Sequence, residues 1–540
     1  MNLVTDPWIP IVTIEGKPEF ASLMQIFSEG DKYADLSVRP HERVALMRLL
    51  ICIAQAALDG PEDKDDWKFA SKKLPDAVNK YLKEWNDKEA FELFHDSKPF
   101  LQIAALKPKE KEYTDGTNVG KIKLKLDKLK IETFTSLSKL DISLATGANS
   151  TLFDHQASSD ENRLLDDIQI AIGLITYQNF SASGRIGVAV WNDIDTPGKG
   201  ASFPAPSIDK LMIHSFLRGK NLLQTICLNL LTKPAIERHF GKKEAWGKPI
   251  WENFPNGFND EIAIQNATDT YLGRLTPLAR AVKIRRQEKD LLLANGLKYP
   301  LSEEGRYETS ATIKIRENKR IVLKVNSNAI WRELHAIIVR NADNNNTARG
   351  PRALENLTNE DFDLWCGGIE WTTKGGYINS VESVYNVSSK MLFDACRIIY
   401  QNEVAQAEHI STNLGWAIEE YRKNVDGYWE TRSDPKKNKK AFQDKDLLRS
   451  KATRSYWTAI EKQRYFLMNH IDSWQTESFD ASQKAWRSVI HKSAREAYIS
   501  ACGQETPREI RAFALGWKKL FMEKKNDNED PNQNLDGGEE

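Results

Sequence analysis

Residues 37–61 read SVRPHERVALMRLLICIAQAALDGP and contain the clearest single element of the sequence. Ser37 can cap a helix, Pro40 suits a first helical turn, and Glu42 adds a favourable negative charge there. Residues 44–58 are then almost entirely apolar, until an Asp-Gly-Pro sequence ends the pattern. Because a helix that is apolar on most faces is enclosed by other elements, we predict a buried central helix.

Composition limits the classes of protein to which this chain can belong. Its 540 residues contain 76 Lys plus Arg and 76 Asp plus Glu, so the formal net charge is zero. A protein that is basic over its whole surface is excluded, whereas a locally basic surface is not. No run of about 18 apolar residues occurs and the first residues do not resemble a signal peptide, so we expect a cytoplasmic protein without a membrane partner.

The five cysteines are far apart and include no Cys-x-x-Cys pair, and four of them lie among apolar neighbours. This pattern predicts reduced core residues rather than disulfides or a cysteine-built zinc site.

The hydrophobic pattern changes along the chain. Short strands are predicted at residues 9–14 and in a hairpin of 312–315 with 321–325, and further helices at 164–177 and 217–231. From Asn379 the strand signals stop, and helical patterns cover 380–400, 404–422, 446–471, 481–501 and 507–522. The predicted class is therefore α+β: a mixed α/β domain (1–378), a C-terminal four-helix bundle (379–525) and a disordered acidic tail (526–540).

Local charge gives the first functional signal. Residues 436–525 contain twenty Lys or Arg and ten Asp or Glu, interleaved with Trp457, Tyr465, Trp474, Trp486 and Trp517. Such a surface suits a phosphate backbone with aromatic contacts, but it also suits a solvated bundle with tryptophans in its core. Two further basic stretches are 274–286, which contains no acid, and 121–130. The second alternates Lys with apolar residues, which predicts a strand with one lysine-rich face. Such a face either protects a sheet edge from pairing or lies along a phosphate chain.

The sequence contains no persuasive active site. Asp154-His155 is an acid-base pair in a loop, but no nucleophile or metal-ligand set accompanies it, and such pairs are usually structural. Phosphate-loop, zinc-protease and calcium-loop spacings do not occur. We therefore predict a binding protein, with no catalytic residue, metal or cofactor.

Five segments, in order along the chain, resemble a known family. The segments are 2–10 (NLVTDPWIP), 36–43 (LSVRPHER) running into 46–50 (LMRLL), 98–102 (KPFLQ), 147–155 (GANSTLFDH), and 216–219 (FLRG) with 229–232 (NLLT). Together they resemble the CasA family, the large subunits of the type I-E CRISPR surveillance complex Cascade. The resemblance covers most of the chain and is strongest before residue 235.

The resemblance implies a non-enzymatic DNA-reading subunit. Such a protein binds the backbone and small subunits of the complex and the 5′ handle of the guide RNA. It recognises the protospacer-adjacent motif (PAM) in double-stranded DNA, mainly from the minor groove. It also promotes target unwinding and R-loop formation and recruits a helicase–nuclease in antiviral defence. In this division of labour the protein reads a short duplex motif, and base pairing reads the rest.

The resemblance also assigns roles to residues. A small-residue loop that enters the minor groove falls at Ser183, Gly184 and Arg185, and a lysine finger falls at Arg285, Arg286 and Lys289, of which Lys289 is the best single candidate. A strand-separating wedge falls at Thr372, Thr373 and Lys374, without the glutamine of some relatives. A loop that docks on the guide handle and the neighbouring subunit falls at Asn149, Thr151, Leu152, Phe153, Asp154 and His155, with Phe153 as its aromatic anchor.

Two other functions remain open from the residues alone. The chain can be a structural adaptor that caps the complex without reading sequence. It can also be a nucleic-acid hydrolase that uses Asp154 and His155, which predicts metal-dependent cleavage by the isolated chain.

Overall fold

The computed structural model describes residues 1–109, 134–143, 165–184, 186–198, 203–316, 319–325, 329–340, 348–371, 377–426 and 439–521. The chain divides into two compact units, Met1–Leu392 and Phe393–Glu540. The first unit mixes helices with small sheets and the second is helical. The predicted α+β class with a helical C-terminal region is confirmed.

The first unit has both long and short helices among its described residues. They are α1 (Leu23–Ser28), α2 (Pro40–Leu58), α3 (Lys64–Asp87), α4 (Asp167–Phe180), α5 (Leu222–Leu228), α6 (Lys233–Phe240), α7 (Glu261–Asp269), α8 (Tyr271–Leu275) and α9 (Leu334–Ile337).

Strands of the first unit form small antiparallel sheets of three strands each. They are β1 (Ile9–Thr13), β2 (Pro18–Ala21), β3 (Tyr33–Leu36), β4 (Lys107–Pro108), β5 (Phe134–Ser136), β6 (Ala189–Trp191), β7 (Ile194–Asp195), β8 (His214–Arg218), β9 (Arg280–Arg285), β10 (Asp290–Asn295), β11 (Ile313–Arg316), β12 (Lys319–Val322), β13 (Ala348–Arg349), β14 (Phe362–Trp371) and β15 (Tyr377–Val387). Their orders are β2-β1-β3, β5-β10-β9, β12-β11-β13, β15-β14-β8 and β4-β6-β7.

The predicted central helix is α2. It packs against α3, α4, α8 and β14, and its residues from Pro40 to Gln55 are buried. Its N-cap is Arg39 rather than the predicted Ser37, because the Glu42 carboxylate accepts the backbone N–H of Arg39 at 2.9 Å. The helix ends at Asp59, whose backbone is left-handed (φ 44°).

A buried ion-pair group ties α2 to the region after α8. The Glu308 carboxylate accepts hydrogen bonds from Arg48 of α2 and from Arg274, the latter at 2.7 Å. Burial alone would raise the pKa of Glu308, but the charges of the two arginines hold it at about 2. Arg274 therefore belongs to the core, although the sequence interpretation placed it in a basic stretch.

Two predicted boundaries are wrong. The division between the units lies at Leu392/Phe393 rather than at Asn379, because β15 continues to Val387. Residues 380–387 are thus strand, where a helix was predicted. Likewise, the helix predicted over 217–231 is the end of β8 followed by α5.

The second unit contains four long helices and one short one among its described residues. They are α10 (Asp394–Asp426), α11 (Lys439–Lys462), α12 (Tyr465–Asp472), α13 (Phe479–Ala501) and α14 (Pro507–Leu520). The helix α10 packs against all four others, and Trp486 and Tyr456 are fully buried between them. The segments 121–130 and 526–540, both singled out by charge, lie outside the described residues.

All five cysteines are buried with free thiols, as predicted. Among the described residues, no helix is both long and apolar enough to cross a membrane.

Candidate nucleic-acid interface

The hairpin of β9 and β10 carries the three cations predicted as a lysine finger. Its six paired positions run from Arg280 opposite Asn295 to Arg285 opposite Asp290, so residues 286–289 form a four-residue turn. Lys289 closes this turn in a left-handed backbone conformation (φ 56°). The third strand of the sheet, β5, pairs with β10 and holds the hairpin at its outer half.

Arg285 is engaged within its own sheet. Its Nε donates to the Asp290 carboxylate at 2.7 Å and its Nη2 donates to the other oxygen, which makes a side-on bidentate pair. The guanidinium also lies over the Phe134 ring at 3.6 Å. The hydrogen bond to Asp290 raises the pKa of Arg285 above its ordinary value. Arg285 thus stabilises the hairpin, and its Nε and Nη2 donors are occupied by the Asp290 carboxylate.

Arg286 connects the hairpin turn to a helix. Its Nη2 donates to Asp167 in the first turn of α4 at 2.6 Å, and its guanidinium lies over Phe94 at 4.8 Å. The side chain is still 58% exposed. The helix α4 follows the predicted docking loop in the chain. Arg286 therefore links the hairpin turn to the end of that loop.

Lys289 differs from both arginines. It is exposed at the turn, and it has no carboxylate within ion-pair distance among the residues that the structure describes. Of the three predicted cations it is therefore the one whose charge remains available to a ligand.

A buried arginine of β9 holds the predicted small-residue loop at its base. Arg280 is 2% exposed, and its Nη2 donates to the carbonyl oxygens of Ala182 (2.8 Å) and Phe203 (2.9 Å). The backbone N–H of Ala205 also donates to the carbonyl of Ser181 at 2.8 Å. Burial lowers the pKa of Arg280 from its ordinary value. One internal cation therefore holds both ends of residues 182–203.

Ser183 and Gly184 are exposed beyond this clamp. Among the described residues, no atom lies within 4 Å of a Cβ placed at Gly184. This part of the fold therefore leaves room for a side chain at this position. Arg185 lies outside the described residues.

The residue that holds the small-residue loop, Arg280, and the residue next to the hairpin turn, Arg285, lie at opposite ends of β9. Arg280 and Arg285 are separated by five residues of β9, which at about 3.3 Å per residue is about 16 Å. This distance is smaller than the diameter of a DNA duplex. The loop and the hairpin turn can therefore contact the same DNA duplex without touching each other.

The predicted wedge residues Thr372, Thr373 and Lys374 lie outside the described residues. The strands on either side pair closely up to Trp371 and Tyr377. Gly367 of β14 is required here, because a Cβ would lie 2.4 Å from the Trp365 indole. The paired strands β14 and β15 therefore lie directly before and after the predicted wedge residues in the chain.

The predicted docking residues Asn149, Thr151, Leu152, Phe153, Asp154 and His155 also lie outside the described residues. Both flanks are held by ion pairs. Before them, Arg39 donates to Asp141 at 3.0 Å, and after them Asp167 accepts from Arg286. The sequence interpretation assigned no role to Arg39 in this contact.

Basic side chains form one exposed stripe on α13. They are Lys484, Arg487, Lys492 and Arg495, which helical spacing places within one arc, and all four are exposed. Arg487 donates to Glu403 of α10, and Lys492 lies 4.0 Å from Glu496. Lys484 and Arg495 have no carboxylate partner among the described residues. Trp486 faces away from this basic stripe and is fully buried, so it belongs to the core and not to an aromatic contact surface.

Three comparisons with known proteins agree. The family model of CRISPR-associated protein Cse1 matches residues 2–497. CRISPR-associated protein CasA/Cse1 of Thermus thermophilus is 29% identical over 267 residues, 48% of this chain and 43% of that protein. The aligned part therefore spans less than half the length of this curated relative.

Solved structures extend the likeness over nearly the whole chain. The crystal structure of Thermus thermophilus CasA has a TM-score of 0.71 at 20% identity, covering 96% of this chain and 98% of that one. A chain of a CRISPR RNA-guided surveillance complex has a TM-score of 0.66 at 15% identity, covering 97% and 99%. At these identities the likeness is one of fold.

Proposed function

Because the matching family model covers residues 2–497, the chain belongs to the CRISPR-associated protein Cse1 family, and from this we propose that it is the large subunit of a type I-E Cascade surveillance complex. In this role it recognises the PAM in double-stranded DNA, promotes unwinding of the target and R-loop formation, and recruits a helicase–nuclease. It acts by binding, without a catalytic step of its own.

The exposed ammonium of Lys289 is the observation that carries the DNA-reading part of the proposal. Its two neighbours on the hairpin are engaged by Asp290 and Asp167, whereas Lys289 has no ion pair among the described residues. The minor groove is narrow and strongly negative, so a single cation on a rigid turn suits it. We assign Lys289 to the groove, and Arg285 and Arg286 to positioning the turn.

Gly184 supports a second contact. Its position has space for a side chain within the protein, so the advantage of glycine is a close approach of the backbone to a ligand. The Arg280 clamp gives this loop a fixed starting point. Ser183, Gly184 and Arg185 then meet the groove near the Arg280 end of β9, about 16 Å along this strand from the Arg285 end, where the turn with Lys289 begins.

Other parts of the assembly contact other parts of the chain. The guide RNA 5′ handle and the backbone subunit meet Asn149 and the residues up to His155, with Phe153 as the anchor. The wedge at Thr372, Thr373 and Lys374 separates the first base pairs. The basic helical unit borders the DNA strands and the small subunits.

The test is duplex binding by the guide-loaded complex, assembled with the wild-type chain or with K289A. The target matches the guide and carries a randomised flank, and the salt concentration is fixed. The wild-type chain should enrich particular flanks. K289A should weaken binding to the enriched flank by about 1–3 kcal/mol, roughly 5- to 150-fold, because it removes a charged groove contact.

Lys243 provides the matched control. It is also an exposed lysine of the first unit without an ion pair among the described residues, but it lies outside the hairpin. K243A should retain both affinity and flank preference. Equal affinity for all flanks with the wild-type chain would favour the adaptor function. If K289A binds the enriched flank as tightly as wild type does, Lys289 does not contact the groove.

A further inference from the structure

A segment of strong negative charge follows the helical unit in the sequence. Residues 526–540 include Asp527, Glu529, Asp530, Asp536, Glu539 and Glu540, and no Lys or Arg. The helical unit that precedes it carries the excess of positive charge described above. The proposed DNA-reading role does not use this acidic segment.

The last described residue before it lies against the basic stripe of α13. The Phe521 ring has the guanidinium carbon of Arg495 4.9 Å from its centroid, and the His491 ring centroid is 5.9 Å away. The ring contacts of Tyr498 with Phe513 and Trp517 bring the end of α14 back along α13. The chain therefore leaves the described residues beside one member of the stripe.

The whole stripe is within reach from this point. Arg495 and Lys484 are eleven residues apart on α13, or about 17 Å at 1.5 Å per residue. Nineteen residues, 522–540, follow this point, and a random coil of that length has a root-mean-square length of about 22–26 Å. Attachment so close to the surface corresponds to an effective concentration of about millimolar, so weak ion pairs suffice for binding.

Two members of the stripe are suited to accept carboxylates. Lys484 and Arg495 are exposed and have no carboxylate partner among the described residues, and each is a donor for an acidic side chain. Lys492 has only a 4.0 Å contact with Glu496 of its own helix. Such exposed pairs are individually weak and become significant as a group.

We propose that the acidic segment 526–540 docks on the basic stripe of α13 and competes there with nucleic acid. The docked segment presents carboxylates where a phosphate backbone would lie. It thereby lowers binding of the free chain to DNA of any sequence, while leaving the hairpin turn at Lys289 unaffected. The competition rests on the proposed DNA-binding role, whereas the docking does not.

Docking is tested without DNA. In the full-length chain, a carbodiimide joins carboxylates to lysines that they touch, and mass spectrometry identifies the pairs. Links from residues 526–540 should concentrate on Lys484 and Lys492 and should disappear at high salt. Equal links to Lys220 and Lys243, exposed lysines of the first unit, would show that the segment has no preferred site and would overturn the proposal.

Competition is tested with full-length variants. In one variant all six acids become amides (D527N, E529Q, D530N, D536N, E539Q and E540Q). Its affinity for a duplex of arbitrary sequence should rise by about 5- to 10-fold at about 50 mM salt, with little difference at about 300 mM. In the background K484Q/R495Q the same six changes should have less than half this effect. The control background K220Q/K243Q should retain the full effect.

The outcomes separate this proposal from the proposed function. If the six changes leave DNA affinity unchanged but the links to α13 persist, docking holds and competition is wrong. If the effect is the same in both backgrounds, the stripe is not the docking site. Failure of K289A to alter flank preference would contradict PAM reading by Lys289 and leave docking intact.

Discussion

Arginines of one basic stretch have quite different roles in this protein. Arg274 neutralises a buried carboxylate, Arg280 binds backbone carbonyls, Arg285 completes the edge of a sheet, and Arg286 bridges to a helix. Lys289, on the turn that follows this stretch, has no carboxylate partner among the described residues. Sequence alone cannot separate these roles, because the partners are 34 to 119 residues away for Arg274, Arg280 and Arg286.

Replacement of Arg280 by lysine tests the clamp. R280K keeps the charge, but one ammonium cannot reproduce the planar arrangement that reaches Ala182, Phe203 and Ala279 together. Buried carbonyl oxygens would lose their donors, which costs about 2–4 kcal/mol of the free energy of unfolding. Chemical denaturation measures this loss. A change below about 0.5 kcal/mol would mean that water replaces the guanidinium without cost.

Elements were predicted well where they are local and poorly where they depend on pairing. The helix α2, the strand β1 and the hairpin of β11 with β12 follow from hydrophobic patterns within a few residues. The strand β15 was missed, because its polar sequence (YINSVESVYNV) is extended only through its ten-residue ladder with β14. The same dependence on a distant partner made β8 look like the start of a helix.

The candidate site shows the same limit. The turn at Lys289 was located by resemblance to a family, and its surroundings supply the reason why Lys289 differs from its neighbours. The clamp by Arg280 and the link from Arg286 to Asp167 carry no local sequence signal. They arise because α4 and β9 are brought together by residues such as Gln178, whose amide accepts from and donates to the Arg280 backbone.

Two glycines in the elements around the site provide a matched pair of variants. G367A on β14 places a Cβ 2.4 Å from the Trp365 indole, so the ring must move from its site under Arg43. We expect a loss of about 1–3 kcal/mol in the free energy of unfolding. The Cβ of G184A meets no atom of the described residues within 4 Å, and the variant should have a stability within about 0.5 kcal/mol of wild type.

The same pair separates stability from binding. If the loop at Gly184 approaches the minor groove closely, G184A weakens PAM-dependent DNA binding in spite of its normal unfolding curve. Denaturation and duplex titration on the same preparations measure both effects. If G184A equals wild type in both stability and DNA binding, the backbone at Gly184 does not approach the minor groove closely.

At the scale of the whole molecule, the histidines whose pKa is lowered furthest among the described residues lie in the first unit. His41 and His214 are fully enclosed, and burial lowers the pKa of each to about 4. Burial likewise lowers the pKa of His239 to about 3. The His41 ring lies between Phe180 and Tyr377, and neither of its nitrogens has a hydrogen-bond partner among the described residues. None of the three gains a charge in the folded state near neutral pH.

These histidines predict that mild acid destabilises the first unit. In the unfolded chain a histidine takes up a proton below about pH 6.5. In the folded state these three histidines do so only near pH 3 to 4. Between these values the unfolded state binds more protons, so the free energy of unfolding falls as the pH falls. Between about pH 7 and pH 5 the loss is about 1–2 kcal/mol for each histidine. Hydrogen exchange read by mass spectrometry, with each rate divided by the intrinsic exchange rate at that pH, should show weaker protection of α2, β8 and α6 at the lower pH.

His41 allows this cause to be isolated from other effects of acid. H41F keeps an aromatic ring between Phe180 and Tyr377 and removes the titrating group, and no hydrogen bond among the described residues is lost. The variant should therefore lose about 1–2 kcal/mol less than wild type between about pH 7 and pH 5. A pH dependence identical to that of wild type would mean that His41 is already charged in the folded state, with its charge balanced by Glu42 and Asp141.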